Sequence, residues 1–265
     1  MSDADGIAIV KRALMTVAAF AIAVALFAQP AQRSGRQAPR PAPRVPDGRP
    51  DLSGLWQGGG PVADIGQGLP KGEAIPLLPS ARKQMESLQS KDDPEARCLP
   101  TGVPRIAPYP WRIVQTPTHI FFLFEANIHS YRQIFMNGRH PSDPDPTWYG
   151  HSIGRWDGST LVVDTIGFND KFWFDFKGHP HTERLHIVER YTRKDYSTLV
   201  NQITIDDPGA YSRPFTITFT AELAPAGDEL MEYICNENNV DVLHILGPPA
   251  APGDPDRPPG TLKTR

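Results

Sequence analysis

Residues 215–223 read Phe-Thr-Ile-Thr-Phe-Thr-Ala-Glu-Leu. In an extended chain, successive side chains point to opposite faces, so this stretch has one apolar face and one polar face. The apolar face comprises Phe215, Ile217, Phe219, Ala221 and Leu223. Such alternation predicts a β-strand that is buried on one side and solvated on the other, which is typical of antiparallel sheets.

Similar stretches fill the rest of the chain from about residue 111. They are 111–116, 118–126, 130–137, 149–156, 160–168, 184–193, 197–206 and 229–236. Turn dipeptides such as Asp157-Gly158 and Asn137-Gly138 separate or end these stretches. Only Ser80–Gln89 has a helical pattern, with Ser80 as a candidate N-cap. We therefore predict an all-β fold: an antiparallel meander of eight or nine strands with one short helix near 80–90, and an up-and-down barrel rather than a sandwich.

The two ends of the chain differ in composition from this part. Lys11-Arg12 and the apolar run 13–28 predict a signal peptide over 1–28, or else an N-terminal membrane anchor if it is not cleaved. Six prolines in 29–50 predict a disordered linker, and 248–265 is a second proline-rich, disordered tail. The folded domain is therefore expected over 51–247, in the periplasm or outside the cell, with membrane contact only through the N-terminal segment.

Composition excludes several classes of partner and cofactor. The net charge is −3, with 27 basic against 30 acidic residues, which argues against a nucleic-acid surface. The sequence has no phosphate-binding glycine loop and no dinucleotide fingerprint, so ATP and NAD are not expected. The expected partner is a small molecule.

The chain contains two cysteines, Cys98 and Cys235. In an exported protein such a pair predicts a disulfide, here closing a long loop.

The stretch 167–183 is the densest in polar and aromatic side chains and is longer than a hairpin needs, which is typical of a functional loop. It predicts an aromatic-lined site for a small apolar, aromatic or sugar-like ligand. The predicted ligand-binding residues are Asn169, Asp170, Phe172, Trp173, Tyr131 and Arg132.

Two histidines of this stretch, His179 and His181, are candidates for acid–base chemistry. Because they stand two residues apart in an extended segment, their imidazoles could also converge on one divalent transition metal together with Glu183 and His186. The remaining interpretation is that His179 and His181 are solvated and have no special role.

Two carboxylates fall on faces that otherwise look apolar. In an extended strand, Asp164 shares a face with Val162 and Ile166, and Glu189 shares a face with Ile187 and Tyr191. A carboxylate that faces a core must be paired or used chemically. The alternatives are a buried ion pair, for which Arg132 is the candidate partner, or catalytic general acids or bases at Asp164 and Glu189.

Two resemblances add to this interpretation. Gly54-Leu55-Trp56 resembles the Gly-x-Trp signature that opens the first strand of lipocalin-like (calycin) barrels, which implies a barrel. Seven motifs together resemble an exported bacterial family without an established activity. They are Arg49-Pro-Asp-Leu-Ser-Gly-Leu-Trp56, Asp93-Pro-Glu-Ala-Arg-Cys-Leu-Pro100, Tyr131-Arg-Gln-Ile-Phe-Met-Asn-Gly138, Asp164-Thr-Ile-Gly-Phe-Asn-Asp170, His179-Pro-His-Thr182, Thr204-Ile-Asp-Asp-Pro208 and Cys235-Asn-Glu-Asn238.

The sequence therefore leaves three functions open. The first is a hydrolase, lyase or isomerase without a nucleotide cofactor, using His179, His181, Glu189 and Asp164. The second is a lipocalin-like binding protein without catalytic activity. The third is a surface interaction protein that acts through its proline-rich flanks.

Overall fold

The computed structural model describes residues 40–61, 63–107, 109–126, 130–235 and 237. The predicted signal peptide, the linker residues 29–39 and the tail 248–265 lie outside these ranges. Residues 40–50, predicted as the end of the linker, form a turn in which Arg44 bridges to Pro50. The backbone N–H of Tyr196 donates to the carbonyl of Arg40 at 2.8 Å, so this turn contacts the folded domain.

Nine strands form one closed barrel. They are β1 (Gly54–Gly58), β2 (Trp111–Gln115), β3 (His119–Phe124), β4 (Tyr131–Met136), β5 (His151–Asp157), β6 (Thr160–Ile166), β7 (His186–Arg193), β8 (Thr198–Asp206) and β9 (Phe215–Leu223). The one α-helix of the described residues is α1 (Pro79–Ser87), close to the predicted position. The all-β barrel prediction is confirmed.

Each strand pairs with its neighbours in sequence, and β9 closes the ring on β1. Every pair is antiparallel except β4–β5, where Ile134 lies opposite Ser152 in parallel register. A parallel pair needs a crossover, and residues 137–150 return the chain to the end at which β4 began. The predicted all-antiparallel meander therefore has one exception.

The two ends of the barrel differ in their connections. The end at which β1, β3, β6 and β8 finish is called the loop end; it carries, among others, the connections 167–185 and 207–214. The opposite hairpin end has short turns, such as 158–159 between β5 and β6. The loop end is covered by its own connections, because residues 101–107 and the rings of Phe168, Phe172 and Phe174 are buried.

The predicted strand 229–236 is not formed in residues 229–235. Since β1 already pairs with β9, the barrel has no free edge for it. This segment is instead held by the Cys98–Cys235 disulfide, which confirms the predicted pairing. No helix within the described ranges is long and apolar enough to cross a membrane.

Candidate functional site

Buried side chains of the described residues pack together inside the barrel. Its polar centre is the ion pair between Arg132 Nη1 and Glu189 Oε2, at 2.5 Å, with both side chains 2% exposed. The buried ion pair with Arg132, one of the two alternatives for Glu189, is therefore present. The Tyr191 hydroxyl donates to Glu189 at 2.7 Å, and Arg132 also donates to Thr165 at 2.6 Å. Glu189 and Arg132 are therefore held inside the barrel, away from solvent.

The remaining interior space is small. A cavity of about 10 Å³, which holds roughly one water molecule, is bordered by Asn201, Glu189 and Tyr191. A small-molecule ligand does not fit in this cavity.

The loop 167–183 holds a buried carboxylate–imidazole pair. Asp175 Oδ2 lies 2.6 Å from Nδ1 of His179, and the Asp175 side chain is fully buried. The same oxygen accepts the backbone N–H of Ile65 at 2.6 Å, which ties this loop to the segment after β1. Since Nδ1–H of His179 donates a hydrogen bond to Asp175, the lone pair of a neutral His179 lies on Nε2.

Lys177 forms an ion pair beside this pair of residues. Its Nζ lies 2.6 Å from Asp64, whose other oxygen caps the turn 65–68 by accepting from Gly66. Burial raises the pKa of Asp64, but the Lys177 and Gly66 hydrogen bonds outweigh it and lower the pKa overall. Within the described residues, Asp64, Asp175 and His179 form the cluster whose donor atoms approach within 4.8 Å of one another.

His181 does not join His179. Its ring packs against Phe172 and Phe174, with centroids 4.0 and 5.1 Å away, and its Nδ1 contacts the Thr182 carbonyl at 3.2 Å. Burial lowers the pKa of His181 to about 4, against the smaller raising effect of the Thr182 carbonyl. His181 is therefore neutral at pH 7 and is part of the core.

A groove of about 450 Å³ lies at the loop end, between two walls. One wall comes from residues 88–96 and the other from 173–177. The lining residues are Leu88, Gln89, Ser90, Asp93, Glu95, Ala96, Trp173, Phe176 and Lys177.

Arg105 connects these walls from beneath. Its guanidinium contacts Asp93 at 2.7 Å and Glu95 at 2.6 Å, and it lies 4.6 Å from the ring centroid of Phe176. The Arg105 side chain is 3% exposed. A buried cation that holds both walls keeps the groove open in one geometry.

The other predicted ligand residues do not line this groove. Phe172 and Asn169 are buried, and Asp170 is exposed. Tyr131 is 61% exposed on β4. Trp173 is the one predicted ligand residue that lines the groove.

A second group of titratable side chains lies on the outer wall of the barrel. We call it the histidine cluster: His140, His151, Asp164 and His186. Asp164 Oδ1 lies 2.9 Å from Nε2 of His140 and 3.1 Å from Nε2 of His186. Nδ1 of His140 in turn lies 2.9 Å from Nδ1 of His151. Burial, together with the neighbouring His140, lowers the pKa of His151.

The position of Asp164 differs from the sequence prediction. The inward side chains of β6 are Leu161, Val163 and Thr165, and Asp164 points outward, 38% exposed. Val162 is also buried although it shares the outer face with Asp164. Since apolar residues stand on both faces of β6, alternation alone does not identify the inner face.

The predicted metal ligands His179, His181, Glu183 and His186 do not come together. His179 pairs with Asp175, His181 lies in the aromatic core, Glu183 is exposed and His186 belongs to the histidine cluster. The extended segment does not bring the first two imidazoles together, because each is held by a different neighbour.

Sequence reasoning missed His140 and His151. The two-residue turn 158–159, which the Asp157-Gly158 dipeptide predicts, fixes Ile153 opposite Asp164, so His151, two residues away on the same face, could have been placed beside it. His140 lies on the crossover, whose path no periodicity predicts.

No family model, curated protein or solved structure matches this chain. Membership of the exported bacterial family therefore stays a prediction.

Proposed function

We propose that the protein binds a small, neutral, sugar-like molecule in the groove at the loop end. The observation that carries this proposal is the groove itself, whose volume of about 450 Å³ lies within the usual range of about 300–1,000 Å³ for ligand sites. The groove offers a ligand far more room than the interior cavity of about 10 Å³.

The chemistry of the lining favours this class of ligand. Trp173 and Phe176 offer apolar ring surface, on which the C–H face of a sugar ring can pack. Gln89 and Ser90 can both donate and accept hydrogen bonds, as sugar hydroxyls do. Lys177, the one cationic side chain among the lining residues, is already paired with Asp64, so an anionic ligand is disfavoured.

The two walls of the groove are also held together in the absence of a ligand. Arg105 fixes Asp93 and Glu95 in one wall and contacts Phe176 in the other. Binding then costs less ordering of side chains than it would in a mobile loop. We place this binding protein in the periplasm or outside the cell, since a disulfide is typical of oxidising compartments.

The test is ligand-observed NMR on a panel of neutral mono- and disaccharides, with benzoate as an anionic comparison, followed by calorimetry. We expect saturable binding of at least one sugar, lost in Trp173→Ala and Phe176→Ala. Tyr131→Ala, which removes an exposed ring outside the groove, is the matched control and should bind normally. If no sugar bound, or if Trp173→Ala bound as well as the wild type, the proposal would be wrong.

A second candidate function is acid–base catalysis by His179. The observation that favours it is the 2.6 Å contact between Asp175 and Nδ1 of His179, which orients the imidazole and leaves Nε2 as a base. Its test is turnover of nitrophenyl glycosides and esters. We expect His179→Gln to abolish turnover and His119→Gln, at a histidine elsewhere on the barrel, to preserve it.

A further inference from the structure

The histidine cluster contains a close contact between two imidazole nitrogens. Nδ1 of His140 and Nδ1 of His151 are 2.9 Å apart. Two imidazole lone pairs repel each other at this separation, so a proton or a metal ion must lie between them.

The other contacts of the cluster determine which nitrogen of His140 is free. Asp164 Oδ1 is a carboxylate oxygen that accepts hydrogen bonds, so Nε2 of His140 carries the proton in their 2.9 Å contact. Nδ1 of a neutral His140 therefore presents a lone pair toward His151. In the absence of a metal, Nδ1 of His151 donates the proton that fills this contact.

A transition metal can replace that proton. Imidazole nitrogens suit Cu²⁺, Zn²⁺ and Ni²⁺, and Cu²⁺ binds most tightly of the divalent ions in this series. Metal–nitrogen bonds of about 2.0–2.1 Å at a tetrahedral angle place two nitrogens about 3.3 Å apart. The existing 2.9 Å separation must therefore open by about 0.4 Å, and both rings must turn so that their lone pairs converge beside the line between the nitrogens. His140 lies on the crossover 137–150 rather than in a strand, so its ring is the one with room to turn.

The surroundings of the two nitrogens resemble those of known metal sites. A histidine ligand usually donates its second ring N–H to a carboxylate, which orients the ring and makes it a stronger ligand. Asp164 does this for His140, and His186 holds the same carboxylate oxygen at 3.1 Å. The ring of His151 is fixed by Phe135, which stacks on it at 5.1 Å.

The cluster also has access to solvent. The side chains of Asp164 and His186 are 38% and 39% exposed, and that of His140 is 17% exposed. Water molecules can therefore reach the metal and complete its coordination.

The cluster of Asp64, Asp175 and His179 differs in this respect. Its carboxylate oxygens already contact the ammonium of Lys177 and the backbone N–H of Ile65. These N–H donors occupy the positions around the carboxylate oxygens that a metal ion would need, so we do not propose a metal there.

We propose that a divalent transition metal ion, Cu²⁺ or Zn²⁺, binds between Nδ1 of His140 and Nδ1 of His151, with Asp164 orienting His140 from its other nitrogen. His151 then carries its own proton on Nε2, so that both Nδ1 lone pairs point to the metal. The site is separate from the groove and does not depend on the function proposed for it.

The test uses the full chain with its disulfide formed, without a histidine tag, after removal of metals by a chelator. Calorimetric titration with CuCl₂ should show about one equivalent bound, and the EPR spectrum should show hyperfine coupling to two nitrogens. We expect His140→Gln and His151→Gln each to abolish this binding. Asp164→Asn, which keeps the shape of the side chain, should weaken it by about 10–100-fold.

His119→Gln is the matched control. His119 lies on the same outer wall and contacts Phe135, with ring centroids 5.2 Å apart, but it is not part of the cluster. It should bind Cu²⁺ as the wild type does, and circular dichroism should show that all variants fold. Absence of saturable binding in the wild type would overturn the proposal. Unchanged binding in both histidine variants, or loss of binding in His179→Gln instead, would also overturn it.

Discussion

His181 shows how its surroundings decide what one residue can do. The sequence placed it two residues from His179 and made both of them candidates for acid–base chemistry. In the structure, the aromatic rings of Phe172 and Phe174 surround His181, and burial lowers its pKa to about 4. A group with this pKa is almost fully neutral at pH 7. In the folded state it takes up a proton only near pH 4.

The depressed pKa of His181 predicts sensitivity to acid. The unfolded chain binds a proton near the ordinary pKa of 6.5, whereas the folded chain does so only near 4. Stability from this residue is therefore fully present above pH 6.5 and is lost as the pH falls toward 4, by about 3 kcal/mol in total. We expect His181→Leu to remove this part of the pH dependence.

The measurement is urea unfolding of both proteins at pH 7.5 and pH 4.5. The free energy of unfolding should fall more steeply with acid in the wild type than in His181→Leu. Parallel pH profiles for the two proteins would show that His181 is not the group responsible.

The ion pair between Arg132 and Glu189 gives a second prediction at the residue scale. Both side chains are 2% exposed, so removing one leaves the other charge buried without its partner. We expect Glu189→Leu to lower the free energy of unfolding by about 3–5 kcal/mol. The double variant Arg132→Met with Glu189→Leu should recover most of this loss, because no unpaired charge remains.

Urea unfolding of the two single variants and the double variant measures the coupling between the residues. Additive losses in the double variant would contradict the interpretation that the unpaired charge is the main cost.

At the scale of elements, two glycines with positive φ allow the cost of backbone strain to be measured separately from the cost of a steric clash with the core. Gly158, in the turn between β5 and β6, has φ +59°, and a Cβ at this position would meet nothing within 4 Å. Gly102, in the buried segment 101–107, has φ +65°, and a Cβ there would lie 2.3 Å from the ring of Phe172. Gly158→Ala should therefore cost only the backbone strain, about 1–2 kcal/mol. Gly102→Ala should cost about 1–3 kcal/mol more, because Phe172 is buried and has to move.

Thermal or urea unfolding of the two variants checks this difference. Since both positions carry the same backbone strain, equal losses would mean that the segment 101–107 yields without disturbing the core.

The elements also show what the sequence could and could not predict. Strands with a clear alternation, such as β9, and the hairpin at Asp157-Gly158 were placed correctly because period two and turn chemistry are local properties. The outward position of Asp164 could not be read, since Val162 is buried on the same face. The parallel pairing of β4 with β5 and the approach of His140 to His151 both depend on the path of the crossover 137–150, which no local pattern predicts.

At the scale of the whole molecule, the pattern predicted a barrel but not how its interior is packed. The polar side chains of Arg132 and Glu189 meet from strands far apart in sequence, and their pairing was inferred only because a lone buried charge is costly. The groove could not be inferred in this way. It forms where residues 88–96 meet 173–177, and no periodicity relates these two segments.

The disulfide joins the chain across 137 residues, which predicts a large effect on stability. In the chain-entropy model, a loop of this length is worth up to about 5 kcal/mol. We expect the double variant Cys98→Ala with Cys235→Ala to lose stability of this order in urea unfolding, with no change in β-sheet content by circular dichroism.

The same variant tests how the disulfide relates to the two proposed sites. Cys98 directly follows the turn 94–97, and this segment contributes Glu95 and Ala96 to the groove. Loss of the disulfide should therefore weaken binding in the groove. The histidine cluster is carried by β5, β6, β7 and the crossover, so its affinity for Cu²⁺ should stay within about twofold of the wild type, as expected for independent sites. If both affinities fell together, the disulfide would be supporting the whole barrel rather than the loop end.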